Sequence, residues 1–367
     1  MYKSIRIQNF RGIKDLEIHD LGRVNLIVGA NNVGKSSVLE ALSLLHMHRD
    51  GYEIGLMLES RGYKRGQSFS GAFSRMFRDR SSDDASFIVE GRKSSPGDQI
   101  ARAIGRQATI QTYEDSSYET NYLITTPPPP GQQFSDESLC LYHQSVPTVQ
   151  PYPVAGAQVQ ISIFSDRERL VPRNFSVGPF GGLATLPSSA HLSSNDLADL
   201  LSNMQGKPQE REMRSNLNAF DEHIERLDVA FDALRQLGYV KVIFSDLSDA
   251  LPLGSLGDGT RRFAEIMTLL PLASEGLALI DEIDSGVYHQ KLPMLWRAVD
   301  QLSSNNNVQI FATTHSWECV AAAVQAMRIS AVDFRLFRID RIGNELEIVD
   351  YDYDLALAAT SGRVEVR

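Results

Sequence analysis

Apolar and polar residues alternate along Tyr2-Lys3-Ser4-Ile5-Arg6-Ile7-Gln8-Asn9-Phe10, break at Arg11-Gly12, and alternate again from Ile13 to Ile18. Two period-two runs around a turn predict an antiparallel hairpin. Val24-Asn25-Leu26-Ile27-Val28 then reads as a buried strand and Ser36 to Leu45 as a helix. Further strand-like runs follow at 86–91, 108–112, 121–125, 139–142 and 159–164, which predicts a β-rich lobe. Pro127-Pro128-Pro129-Pro130-Gly131 cannot sit in a central strand and reads as an extended connector.

Beyond Ser188 the period changes. Ser193-Ser194-Asn195-Asp196 offers a cap for Leu197-Ala198-Asp199-Leu200-Leu201, and Gly206-Lys207-Pro208 breaks the chain. Leu217, Phe220, Ile224, Leu227, Phe231 and Leu234 recur at three- and four-residue steps, which predicts one long amphipathic helix. Two apolar strands close the pattern, Gly276 to Ile280 and Val308 to Thr313, each ending in polar residues. The expected division is 1–85 as an N-terminal lobe, 86–237 as an inserted β-rich and helical lobe, and 238–367 as a C-terminal lobe.

With 367 residues, 42% hydrophobic and 22% charged, the chain can bury a core and hold two domains or one with a large insertion. A net charge of −10 excludes a surface basic all over, so a nucleic-acid contact needs a local patch. Arg61, Lys64, Arg65, Arg75, Arg78 and Arg80 are either such a patch or a solvated face; without interleaved aromatics the solvated face is the better reading. Arg167, Arg169 and Arg173 are candidates for a partner or nucleic-acid contact, or for pairing with local carboxylates. No run reaches the length of a membrane span, and the first residues do not read as a signal peptide, so the expected location is cytoplasmic. Cys140 and Cys319 have no ligand or redox spacing and read as buried free thiols.

The candidate chemistry begins at Gly29-Ala30-Asn31-Asn32-Val33-Gly34-Lys35-Ser36, a G-x-x-x-x-G-K-S loop between strand and helix. Its glycines allow successive N–H groups to turn inward onto phosphate oxygens at a helix N-terminus. Lys35 is expected to reach the β- and γ-phosphates and Ser36 to ligate Mg²⁺. At the end of Gly276–Ile280, Asp281 can hold the Mg²⁺ shell, and the adjacent Glu282 can act as general base toward water. His315, at the end of the next strand, reads as a contact to the γ-phosphate, a structural histidine being the alternative. Leu253-Gly254-Ser255-Leu256-Gly257-Asp258-Gly259-Thr260-Arg261-Arg262 opens another helix, with Phe263, Ile266, Met267 and Leu270 on one face. One nucleotide already has its cradle, so this second glycine-rich start makes sense if it closes on a nucleotide held by another subunit.

Taken in order, Asn9-Phe10-Arg11-Gly12, the loop from Gly29 through Ser37, Ser255-Leu256-Gly257-Asp258-Gly259, Ile280-Asp281-Glu282 and Thr313-Thr314-His315-Ser316 resemble the ABC-type P-loop ATPases. Within that class the chain resembles the branch holding structural-maintenance-of-chromosomes (SMC), recombination-repair and overcoming-lysogenization-defect (OLD) proteins. The match is specific at both ends and vague from about Gly51 to Asp249. The resemblance implies an α/β P-loop ATPase head, using ATP and Mg²⁺, with an inserted β-rich and helical lobe. It implies nucleotide contacts from Arg11, Gly29, Ala30, Asn31, Asn32, Val33, Gly34, Lys35, Ser36 and Ser37, with Ser36 and Asp281 on the metal and Glu282 and His315 in catalysis. It also implies dimerisation, with Ser255, Gly257, Asp258 and Gly259 acting on the partner's nucleotide.

A residue for the glutamine loop is not evident, Gln67 being a weak candidate. Asp350, Asp352 and Asp354 read as a solvated edge or turn and not as a nuclease site. The chain therefore resembles stand-alone OLD-like ATPase subunits without a Toprim domain, whose effector, often a nuclease in phage defence, is a separate protein. The expected function is an ATP-gated homodimer, or higher homo-oligomer, that controls such a partner or senses nucleic acid, without a membrane role. The alternatives are a non-hydrolysing nucleotide-binding scaffold and the ATPase subunit of a transporter.

Overall fold

A computed structural model describes residues 1–45, 76, 78, 86–93, 99–114, 120–125, 138–147, 158–165, 169–170, 182–188, 191–232, 237–327 and 333–362. The chain divides into two units, 1–21 with 36–180 and 340–348, and 22–35 with 181–339 and 349–367. The expected boundaries at 86 and 237 fall elsewhere than these. The N-terminal hairpin joins the β-rich residues, and residues 181–237 join the C-terminal part. The reason lies in strand pairing.

In the first unit, β1 (Tyr2–Phe10) pairs antiparallel with β2 (Ile13–Ile18) on one side and with β4 (Ser86–Lys93) on the other. The hairpin is therefore an integral part of an eight-stranded sheet with the order β2-β1-β4-β5-β7-β8-β9. The remaining members are β5 (Gln99–Glu114), β7 (Ser138–Pro147), β8 (Gln158–Ser165) and β9 (Arg169–Leu170), while β6 (Thr120–Thr125) pairs with β5. All five runs expected as strands are strands. Alternation sets the faces: Ile5, Ile7, Leu16 and Ile18 are buried, in the register Ile5 opposite Ile18 and Ile7 opposite Leu16. Phe10 meets Phe87 edge to face at 5.0 Å between centroids. Arg78 braces the hairpin, donating to the Gly12 carbonyl at 2.5 Å and the Asn344 carbonyl at 3.2 Å, so its side chain is tied to the main chain. Arg61, Lys64, Arg65, Gln67, Arg75, Arg80, the Pro127–Pro130 run, Arg167, Arg173 and Leu234 lie outside the described residues.

The second unit is built on a six-stranded sheet, of which residues 340–342 and 345–348 are counted with the first unit, ordered β10-β14-β15-β3-β16-β17: β10 (Leu183–Leu186), β14 (Leu277–Ile280), β15 (Gln309–Thr313), β3 (Val24–Val28), β16 (Phe334–Ile342) and β17 (Glu345–Tyr351). The first five pair in parallel. Strands covered on both faces need continuous apolar runs, and every residue of β3, β14 and β15 is buried. The buried amide of Asn25 is satisfied by Gly22 and by the Ile310 carbonyl. Helix α1 (Lys35–Leu44) follows β3. α2 (Ser194–Met204), α3 (Pro208–Phe220), α4 (Asp258–Leu272), α5 (Leu292–Asn305), α6 (Trp317–Ala326) and α7 (Tyr353–Ser361) belong to this unit. As expected, Ser193 caps α2, its hydroxyl accepting from the Asp196 N–H. Asp352 caps α7 and Asp350 pairs with Arg335 at 2.9 Å, so these carboxylates hold structure together.

The long helix expected over Leu217 to Leu234 is corrected. Helix α3 ends at Phe220, and Ile224–Asp232 is a strand, β11, pairing with β12 (Leu237–Phe244) and through it with β13 (Leu251–Pro252). The three-residue step from Ile224 to Leu227 imitates a helix because a register shift between Ile224 and Arg226 inserts a residue. Both side chains are thereby buried without alternation.

Candidate nucleotide site

Parallel pairing carries three strand ends to one edge of the sheet, where β3 delivers Gly29, β14 delivers Asp281, and β15 delivers Thr313, Thr314 and His315. The carboxyl edge of an open parallel sheet is where ligands bind in such folds. Gly29 and Gly34 have φ of 144° and 125°, and Asn32 has φ of 61°. A Cβ on Gly29 would collide with the Ile339 carbonyl, so glycine is required by space as well as by angle. Ala30, Asn31 and Asn32 are exposed along the loop while Val33 is buried and pins it. Lys35 is buried, its Nζ donating to the carbonyls of Gly29 at 2.8 Å and Ala30 at 3.0 Å. Burial holds its pKa below the ordinary lysine range, and the carboxylates of Asp281 and Glu282 oppose that shift. A desolvated ammonium inside a loop of inward-turned amides is a receptor for phosphate oxygens. Ser36 and Ser37 occupy the first turn of α1.

The Asp281 to Gly286 turn is tied to the β15 end by side chains. The Thr313 hydroxyl donates to Asp281 Oδ1 at 2.6 Å and accepts from the Glu282 N–H at 2.8 Å. Thr314 donates to Asp284 Oδ1 at 2.7 Å. Glu282 lies in the left-handed region with φ of 47°, a conformation that side-chain-bearing residues keep only when the surroundings enforce it. His315 Nδ1 stands 3.7 Å from Glu282 Oε1, so both residues expected in catalysis are brought together.

Arg11 has φ of 51°, its N–H donates to the Met76 carbonyl, and its Nε lies 2.5 Å from Glu40 Oε2 on α1. It is thus fixed to the helix that follows the phosphate loop.

Ser255 donates its hydroxyl to the Pro252 carbonyl at 2.6 Å, and Gly257 is the N-cap of α4 with no side-chain bond to satisfy the helix amides. Gly257 and Asp258 are exposed, and Gly259 lies backbone to backbone against Gly286. Behind this start, Glu265 is fully buried and accepts from the Arg261 side chain and the Leu192 N–H, with His191 Nδ1 at 3.1 Å. Arg262, also buried, donates to the carbonyls of Pro187 and Asp281 and, at 3.4 Å, of Glu282. Sequence reasoning took Arg262 only as the end of the glycine-rich stretch and Thr313 only as part of a strand end, and gave neither a role of its own. The available signals were a charge set directly beside the apolar face of α4 and a hydroxyl closing an otherwise apolar strand.

The sequence family described as "AAA ATPase domain" matches residues 1–83. The family described as "AAA domain, putative AbiEii toxin, Type IV TA system" matches residues 160–320. An ATP/GTP phosphatase of Helicobacter pylori is 25% identical over 353 residues, spanning 89% of each chain. Residues 1–83 and 160–320 thus carry AAA-type ATPase domains. The chain's fold is that of SMC heads. A Pyrococcus furiosus Smc head domain with an extended coiled coil, bound to the C-terminal domain of ScpA, aligns at TM-score 0.51 and 9% identity over 99% of both chains. An SmcHead bound to the C-winged helix domain of ScpA aligns at 0.50 and 10% identity, covering 97% of this ATPase and 99% of that chain. Within the ATPase, the N-terminal match ends after the phosphate-loop helix and the second takes in the α4 start, Asp281-Glu282 and His315. No helix among the described residues is long and apolar enough to cross a membrane.

Proposed function

We propose that this ATPase is a two-state head in which two copies close around two ATP molecules and so switch a separate effector protein. The carrying observation is the start of α4. It offers helix amides without a side-chain cap at exposed Gly257 and Asp258, and it rests through Gly259 on Gly286, within the turn that begins at Asp281-Glu282. A phosphate held by another copy is the ligand that such a helix start accepts.

In this reading Gly29 to Ser37 cradle the phosphates, Lys35 neutralises the β- and γ-oxygens, and Arg11 holds the neighbouring helix through Glu40. Mg²⁺ takes hard oxygen ligands, usually one or two carboxylates together with substrate phosphates. The Asp281 carboxylate, oriented by Thr313, and the Ser36 hydroxyl are donors of that kind. The ion supplies charge neutralisation on the transferred phosphoryl group. Glu282 takes a proton from the attacking water as the new P–O bond forms and the bond to ADP breaks. His315, beside Glu282, contacts the γ-phosphate.

Because ADP lacks the γ-phosphate, ATP favours the closed pair and hydrolysis releases it, a differential affinity of the kind that biases a two-state equilibrium. In this reading the subunit is cytoplasmic and OLD-like, its effector is a separate chain and its setting is phage defence; the family name that mentions a toxin–antitoxin system supports a two-component setting. Nucleic acid is a candidate trigger. Light scattering with ATP and ADP tests the switch. Glu282→Gln retains ATP binding, slows turnover by about 10²–10⁴-fold and accumulates an ATP-dependent dimer. Adding Ser255→Arg abolishes that dimer while each monomer still binds ATP. A dimer that is indifferent to both nucleotide and Ser255 sinks the proposal.

A further inference from the structure

Glu282 holds a left-handed backbone at the sheet edge, and two side chains assigned no role from sequence hold it there. Its φ of 47° turns the carboxylate out of the line of β14 toward His315. From the β15 side, one hydroxyl makes two bonds of opposite sense: Thr313 Oγ1 accepts from the Glu282 N–H at 2.8 Å and donates to Asp281 Oδ1 at 2.6 Å. Only a group that both donates and accepts can do this. From the α4 side, the Arg262 guanidinium donates to the Asp281 carbonyl and lies 3.4 Å from the Glu282 carbonyl. Arg262 is 1% exposed, its Nε has no hydrogen-bond partner among the described residues, and burial holds its pKa below the ordinary arginine range. A buried cation beside backbone carbonyls is costly to keep, which argues for a task beyond filling space. Both grips take hold of the Asp281–Glu282 peptide unit, Thr313 at its N–H and Arg262 at its carbonyl; Thr313 adds the Asp281 carboxylate and Arg262 the Glu282 carbonyl.

We propose that Thr313 and Arg262 are positioning residues for hydrolysis, clamping the left-handed backbone of Glu282 so that its carboxylate is aimed at the attacking water. The inference rests on Glu282 acting as the general base. Arg262 grows from the helix that Gly257 caps and Asp258 begins, so the same clamp connects that helix start to the base. A misplacement of about 1 Å at a reacting group costs on the order of 10²-fold in rate, and that sets the scale of the effect.

The test uses the full chain, with single-turnover ATP hydrolysis, fluorescent ATP binding and a Mg²⁺ titration on Thr313→Val, Thr313→Ser and Arg262→Lys. Thr313→Val is expected to lower the rate by about 10–100-fold with ATP affinity held within about twofold, and Thr313→Ser to restore most of it. Arg262→Lys, which keeps the charge but loses the fork, is expected to lower the rate with binding retained. In a Glu282→Gln background, Thr313→Val is expected to add almost nothing, because the clamp then has no base to aim. Equal losses in both backgrounds, a serine no better than valine, or a defect cured by saturating Mg²⁺ would each overturn the proposal; the last would place the action of Thr313 on Asp281 instead. Should Arg262→Lys fail to fold, the threonine pair still decides. Full hydrolysis by Glu282→Gln alone would defeat the general-base reading. A dead Glu282→Gln beside an active Thr313→Val would defeat the clamp and leave that reading standing.

Discussion

Two glycine-rich helix starts in this chain offer the same backbone chemistry and have opposite surroundings. At the start of α1 the loop is wrapped on itself, with Gly29 and Gly34 at positive φ and a buried Lys35 folded onto the loop carbonyls. At the start of α4 the cap residue Gly257 is exposed with ordinary φ of −62°, and no atom comes within 4 Å of where its Cβ would be. The first start is a closed receptor that carries its own cation. The second is an open face supported from beneath, where Gly259 lies on Gly286. The difference teaches that amides at a helix terminus do not define a site by themselves; what stands around them decides whether the ligand belongs to the same chain.

The largest effect is expected at the closed start. Lys35→Met removes the buried cation and should weaken ATP binding by about 10²-fold or more, the scale of losing charge-assisted hydrogen bonds of about 3 kcal/mol. The nucleotide-free chain should move the other way and melt higher. Because burial lowers the Lys35 pKa, the folded state binds this proton less well than the unfolded state. The penalty is fully present at neutral pH and shrinks as pH rises from the lowered value through the ordinary one. The stabilising effect of Lys35→Met should therefore be largest near pH 7 and fade in alkali. Calorimetry with and without ATP at two pH values checks both signs, and a destabilised apo variant would show that the lysine serves as a structural bolt.

The intermediate effect belongs to the support beneath the open start. A Cβ on Gly259 would strike the Gly286 carbonyl, and Gly286 itself has φ of 71°. Gly259→Ala should cost about 1–3 kcal/mol. That corresponds to a fall in Tm of several degrees. The displacement runs into the turn that bears Glu282, so turnover should fall with it. A Tm unchanged from the parent would mean that the two loops separate without cost.

The same contrast explains what was legible in the sequence. The closed start announces itself because one chain supplies every part of it: a strand with all five residues buried, fixed glycine spacing and a lysine. The strand ends at Asp281 and His315 were legible for the same reason, as apolar runs that stop at polar residues. Strand β11 was not, because its inserted residue gave Ile224 and Leu227 a helical spacing. Nor were the units, since the pairing of β1 with β4 joins segments about eighty positions apart in the chain, and periodicity says nothing about partners. Arg262 and Thr313 received no role of their own because they meet the main chain at Asp281 and Glu282, contacts that no side-chain motif encodes.

The smallest effect on the isolated chain is expected at Gly257, and it separates the two starts most sharply. Aspartate is among the best N-cap residues, and Gly257 makes no side-chain cap bond while already holding an extended backbone. Gly257→Asp should therefore leave the monomer as stable as before or raise it by a few tenths of a kcal/mol. It also adds a negative charge at the end of the helix where a phosphate from another copy is proposed to dock. Like charges at close approach across an interface cost several kcal/mol. In the Glu282→Gln background the ATP-dependent dimer should then disappear from light scattering, although the melting temperature holds or rises and fluorescent ATP still binds. Stability and closure would move in opposite directions from one substitution. A cap that served only its own helix could not produce that result: the variant would melt higher and dimerise as before.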